Sequence, residues 1–209
     1  PLHGTGLTSV YPVLKKMGFD IHLDPATSNL SGAFENVTFN IPNPEVIQSF
    51  DTALPNADAI GADLVMSTDP DADRIGIMVR HDGQWAFLNG NEIGIVLCEY
   101  AIDRYRQAGR LSADNVIIKT DVTTSLIDTI ASENGIQCIG DLLVGFKYIG
   151  DRMNRLEAEG RQGDFILGTE ESHGFLMGNY ARDKDAAGAA VWLAEMASQL
   201  KAEGRTLVD

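Results

Sequence analysis

The sequence predicts an α/β protein: two consecutive α/β domains, each with a mixed sheet flanked by helices. Three observations carry this expectation. Short apolar runs alternate with stretches of helical periodicity through both halves of the 209 residues. Two of those runs end in polar, ligand-rich loops, at Asp69 and at Gly168. The chain is 44% hydrophobic, enough for one large or two small cores. Asn89-Gly90-Asn91 reads as a boundary, dividing residues 1–88 from 89–209.

In the first half, Leu7, Val10, Val13, Leu14 and Met17 share a helical spacing that Gly18 stops. Phe19–Leu23 alternates like a short strand. Residues 24–44, rich in Pro, Asn, Ser and Gly, read as a long loop of the kind that carries function. A helical pattern over 45–60 should break or restart at Pro55. Residues 62–67 form a strand, and 75–79 and 85–88 flank the hairpin signature His81-Asp82-Gly83. In the second half, helices are expected over about 91–107, from Thr123/Thr124 to Asn134, over 146–158 and over 186–202. Strands are expected at 116–119, 136–139 and 164–167.

Asp69-Pro70-Asp71-Ala72-Asp73-Arg74 follows the apolar run at 62–68 directly. Asp and Pro resist both helix and strand, so this segment should be a tight loop at a strand's carboxyl end, where α/β sheets bind ligands. Asp69, Asp71 and Asp73 offer a divalent cation hard oxygen ligands, and clustered like charges need a counterion. Arg74 supplies a permanent cation suited to phosphate. An EF-hand loop counted from Asp69 would need Gly at position 6 and Glu at position 12, where this chain has Arg74 and Arg80. Three carboxylates that leave room for water or a phosphate oxygen suit Mg²⁺ better than a closed calcium cage.

The net charge of −14 is spread along the chain, which argues against nucleic acid or an anionic membrane as partner. No stretch approaches the length of an apolar membrane span, and the start shows no basic-plus-apolar signal region. Cys98 and Cys138 lie far apart, as befits reduced thiols in a cytoplasmic protein. The chain opens on Pro1-Leu2-His3 and is expected to be a fragment or processed product.

The second polar loop, Gly168-Thr169-Glu170-Glu171-Ser172-His173-Gly174, follows the strand at 164–167. Glu170, Ser172 and His173 offer donors and acceptors suited to sugar hydroxyls. Its glycines permit close backbone approach to a ligand. Arg182-Asp183-Lys184-Asp185 follows soon after. Taken alone, that mixed-charge cluster reads as a solvated face.

These segments, in this order and at this separation, resemble the α-D-phosphohexomutases, closest to their phosphoglucomutase/phosphomannomutase members. Pro1–Gly6, Gly90-Asn91-Glu92 and Gly145-Phe146-Lys147 add to the resemblance, which spans essentially the whole chain. Family members have four domains, and this chain resembles the second and third. The resemblance implies that Asp69, Asp71 and Asp73 bind Mg²⁺ and that Arg74 neutralises a migrating phosphoryl. It also implies that Glu170 and Ser172 hold sugar hydroxyls, that Lys184 meets the substrate phosphate, and that Lys147 and Lys119 are further substrate contacts. The expected partner is a small sugar phosphate, with the flanking domains of the same protein missing. The family's phosphoserine loop has no match here, and neither Ser67 nor Ser172 is expected to replace it. The competing readings are a Mg²⁺-dependent phosphatase with an aspartate nucleophile and a non-enzymatic sugar-phosphate-binding module.

Overall fold

A computed structural model describes residues Pro1–Asp209 and divides them into two compact units. One comprises Pro1–Asn89 together with Ala186–Asp209, the other Gly90–Asp185. In chain order the helices are α1 (Val10–Lys16), α2 (Ala53–Ile60), α3 (Gly90–Gln107), α4 (Leu126–Glu133), α5 (Phe146–Ala158) and α6 (Ala186–Ala202). The strands are β1 (Leu64–Thr68), β2 (Ile75–His81), β3 (Gln84–Leu88), β4 (Val116–Thr120), β5 (Gln137–Leu142), β6 (Phe165–Glu170) and β7 (Gly174–Met177). No helix is long and apolar enough to cross a membrane.

The first unit holds an antiparallel sheet in the order β1-β2-β3. Asp82 and Gly83 both take positive φ (48° and 78°), which matches the right-handed twist of a two-residue hairpin, so β2 returns as β3 where the sequence placed the turn. Ile75, Ile77 and Phe50 are fully buried, and Phe50 meets Phe87 edge-on at 6.0 Å between ring centroids. Pro55 falls in the first turn of α2, where a missing N–H costs nothing. The helical pattern over 45–60 restarts there, after a short 3₁₀ turn at Ile47–Phe50. Asp24 ties the long loop down: its carboxylate accepts from Thr27 (3.0 Å), Thr52 (2.7 Å) and Asn56 (3.0 Å).

One expectation requires correction. Phe19–Leu23 joins no strand ladder; the Phe19 N–H turns back to the Leu14 carbonyl (3.3 Å) and closes α1 instead. Helix α6 packs against α1, β1 and β2. Its buried face is built from Ala186, Ala189, Ala190, Leu193, Ala194 and Met196, mostly small residues that allow close approach. By compactness, 186–209 group with Pro1–Asn89.

In the second unit the sheet runs β5-β4-β6-β7, with β4 parallel to β5 and β6 and with β7 antiparallel at the edge. Val116, Ile118 and Phe165 pack on one face with Phe146, Ile149, Met153 and Leu156 of α5. The register shift between Val116 and Ile117 against β6 turns Thr169, paired with Lys119, to the other face. There a Cβ on Gly94 of α3 would lie 2.9 Å from Thr169 Oγ1 and 3.7 Å from Phe175, which shows how tightly α3 lies on the sheet. Both faces of β4 and β6 are thus covered, which accounts for their continuous apolar runs.

Candidate active site

The acidic loop joins β1 to β2 across the open end of the first unit's sheet. The carboxylate oxygens of Asp69, Asp71 and Asp73 lie within 4.8 Å of one another. Asp69 is buried, Asp73 half-buried and Asp71 exposed. Asp69 organises the loop: its Oδ1 accepts the N–H groups of Asp73 and Arg74, both at 3.1 Å, and its Oδ2 accepts Arg74 Nε at 2.8 Å. Burial pushes the Asp69 carboxyl up to about 6, against the pull of the Arg74 bonds. Ala72, at the loop's apex, sits at φ 58°, a left-handed conformation that an L-residue holds only when its surroundings impose it. Its carbonyl accepts the first N–H of α6, from Ala186 at 3.2 Å.

Pro1–Gly6 braces the same loop. Leu2 donates to the Thr68 carbonyl (3.1 Å) and Thr5 to the Pro70 carbonyl (2.7 Å). A Cβ on Gly4 would come within 2.3 Å of Pro70, so only glycine permits this approach. The Gly4-Thr5-Gly6 segment serves here as a buttress of the acidic loop.

Three hard carboxylate oxygens, already gathered and carrying more negative charge than Arg74 offsets, suit a small divalent cation. Asp71 stands outside every hydrogen bond and ion pair of the fold and is therefore fully available. Glu45 went unread in the sequence. It holds Arg74 Nη1 through Oε1 at 2.7 Å, from a loop 29 residues upstream. No local pattern marks it, because the contact is made only by the fold.

The second cluster gathers at the carboxyl end of β6. This strand runs further than expected and includes Glu170, while β7, four consecutive buried residues without alternation, went unread. The two strands enclose a tight turn at Glu171-Ser172-His173, with His173 at φ 67°. Glu170 is only 4% exposed, and its Oε1 accepts the Gly145 N–H at 2.9 Å, where α5 begins. Burial pushes its carboxyl up, while the Gly145 bond and the nearby Lys184 pull it down. A Cβ on Gly174 would sit 2.2 Å from Lys184 Cδ and 3.4 Å from Glu170 Oε2, so the glycine lets the lysine stem lie beside the acid. Lys184 Nζ stands 5.5 Å over the Phe146 ring and 2.9 Å from Asp183. Lys147 lies in the first turn of α5, exposed and next to Gly145. Ser172 occupies the turn, half-buried. Glu170, Ser172, Lys184 and Lys147 thus share one end of the sheet.

Lys119 is placed differently. It is 3% exposed, and its Nζ pairs with Asp128 (3.0 Å) and donates to the Thr123 carbonyl (3.2 Å). The hydroxyls of Thr123 and Thr120 in turn donate to Glu171 Oε2 at 3.2 and 3.1 Å. Gly90 packs so closely on the Glu171 carbonyl that a Cβ there would lie 1.9 Å from it. Glu171 therefore anchors the turn, and Lys119 fixes the loop that holds Glu171.

Both units match models of one family. Residues 1–83 match the phosphoglucomutase/phosphomannomutase alpha/beta/alpha domain II and residues 89–209 match domain III. The chain belongs to the phosphoglucomutase/phosphomannomutase family. Among curated relatives, a phosphoglucomutase of Staphylococcus epidermidis is 35% identical over 210 residues, covering 100% of this chain and 37% of the relative. A "Probable phosphoribomutase" of Schizosaccharomyces pombe is 31% identical, covering 100% of this chain and 35% of the relative. The chain therefore spans about a third of the length of the curated relatives it matches. The fold is shared with a phosphoglucomutase/phosphomannomutase family protein of Burkholderia thailandensis. Its TM-score is 0.70 at 16% identity, with 95% of this chain and 38% of that one covered. The domain III match extends through α6, although that helix packs on the domain II unit.

Proposed function

We propose that this chain is the cation-binding and sugar-recognition part of a longer phosphohexomutase that interconverts hexose 1-phosphate and hexose 6-phosphate, with glucose phosphate favoured. The observation that carries this reading is the gathered Asp69-Asp71-Asp73 carboxylates with Arg74 bonded to the most buried of them. Phosphoryl transfer asks a protein chiefly for positioning and for charge neutralisation, and that loop is built for both.

In this reading a phosphoserine outside the chain gives its phosphoryl to the free hydroxyl of the substrate, making a bisphosphate. The other phosphoryl then returns to the serine. Asp69, Asp71 and Asp73 would hold Mg²⁺, which supplies charge neutralisation to phosphoryl oxygens when bound. Arg74 directs its guanidinium at the same charge. Glu170 and Ser172 accept and donate to sugar hydroxyls, and Lys184, with Lys147, meets the substrate's second phosphate. Lys119 acts through Thr123 and Glu171. The 35% identical phosphoglucomutase supports a hexose substrate. The 31% identical relative's name supports the alternative of a pentose phosphate. A reduced cytoplasmic setting fits the two free cysteines, one buried and one half-buried.

The test is turnover in the full-length protein. Asp71→Ala and Arg74→Ala are each expected to lower kcat by roughly 10³-fold, the scale of an arginine clamp in phosphoryl transfer. Asp71 supports no contact of the fold, so its loss leaves folding intact. Near wild-type turnover in either variant refutes the assignment. Glucose, mannose and ribose 1-phosphates compared by kcat/KM decide the substrate.

A further inference from the structure

We propose that Glu45 is a positioning residue that keeps the Arg74 guanidinium in place when a cation draws on Asp69. The inference rests on the phosphoryl-transfer reading of the acidic loop and adds a residue to it. Arg74 has two side-chain anchors: Nε on Asp69 Oδ2 at 2.8 Å and Nη1 on Glu45 Oε1 at 2.7 Å. Asp69 Oδ1 already accepts two backbone N–H groups, so Oδ2 is the oxygen with capacity to spare for a cation. A cation and the Arg74 Nε–H on that one oxygen are like charges competing for the same electron density, so the first anchor weakens as the site fills. Glu45 lies outside the carboxylate cluster and does not compete for the ion. The second anchor therefore persists when the first loosens.

The Glu45 side chain is exposed, and its backbone is held by the turn that carries it. Its own N–H donates to Asn43 Oδ1 (2.9 Å). The Asn43 carbonyl accepts from Val46 N–H (3.1 Å) and Ser49 Oγ (2.7 Å). This turn lies hard on β2: a Cβ on Gly76 would come within 2.3 Å of the Pro44 carbonyl oxygen. Gly76 thereby lets the Asn43–Val46 turn approach, and Glu45 reaches the arginine two residues before Gly76. Three carboxylates, from Glu45, Asp69 and Asp73, lie within 4.0 Å of one guanidinium. A restrained arginine is what phosphoryl transfer requires, since a displacement of about 1 Å can cost on the order of 10²-fold in rate.

The test follows the Arg74 Nε–H by NMR in the 209-residue chain, with and without Mg²⁺, and kcat and KM in the full-length protein. The variants are Glu45→Gln, which keeps shape and loses charge, and Gly76→Ala, which pushes the turn away without touching either partner. In the wild-type chain the Nε–H signal is expected to stay sharp with and without Mg²⁺. In Glu45→Gln it should be sharp without the ion and broadened with it, while kcat falls roughly tenfold and KM stays within about twofold. Gly76→Ala should reproduce both effects. A Glu45→Gln protein that keeps the Mg²⁺-loaded signal and the wild-type kcat overturns the proposal. Arg74→Ala separates the two readings. If it abolishes turnover while Glu45→Gln does nothing, only the positioning role is lost; if it leaves turnover intact, the mutase reading fails as well.

Discussion

Asp69 shows how one side chain sets the chemistry of a loop. Its carboxyl titrates near 6 because burial disfavours the charged form more strongly than Arg74 favours it. In the metal-free protein, the stability it contributes is fully present below the ordinary carboxylate pKa near 3.8 and is lost as pH rises through about 6. A cation reverses the preference, since it requires the deprotonated ligand. Mg²⁺ affinity should therefore climb between pH 5 and pH 7, with close to one proton released per ion at the acid end and almost none at the other. Calorimetry in two buffers of different ionisation enthalpy reads this directly, and a pH-independent affinity contradicts it. Three residues away, Ala72 occupies its left-handed conformation with its side chain buried. Ala72→Val should lower stability by about 2 kcal/mol in urea denaturation, through backbone strain at positive φ. The acidic trio was legible in the sequence because alternating identical charges have few structural uses. Glu45 was not, because its meaning depends on which arginine lies across the loop.

Elements defined by local chemistry were read well. Helices α5 and α6 begin and end where the apolar spacing and the flanking glycines put them. The β2–β3 hairpin obeys its Asp-Gly turn. What failed was whatever depends on a neighbour. Phe19–Leu23 has a strand's alternation and no ladder. The strand β7 has a ladder with β6 and no alternation, because all four of its residues are buried. Helix α6 lies where it was read in the chain, but periodicity tells which face is buried and never against what. Leu193 is fully buried on that face. Leu193→Ala should cost about 2–4 kcal/mol, the usual range for emptying a packed leucine site. The loss should fall on the first unit's transition in hydrogen exchange, leaving the amides of β4 and β6 protected as before.

At the scale of the molecule, the first unit is discontinuous in sequence and the second is inserted within it. The second has its own core, formed by the sheet and α5. A chain ending at Asp185 lacks the helix that covers α1, β1 and β2. In that truncation, residues 90–185 should retain cooperative folding while 1–89 lose it, which a heteronuclear NMR spectrum of the two stretches decides. A fully dispersed spectrum for 1–89 would mean that α6 is dispensable. The insertion also bears on biosynthesis. A nascent chain normally folds from its amino end forward. Here the first unit's sheet would have to await a helix translated after the whole of the inserted unit, so the inserted unit is expected to reach its native state first.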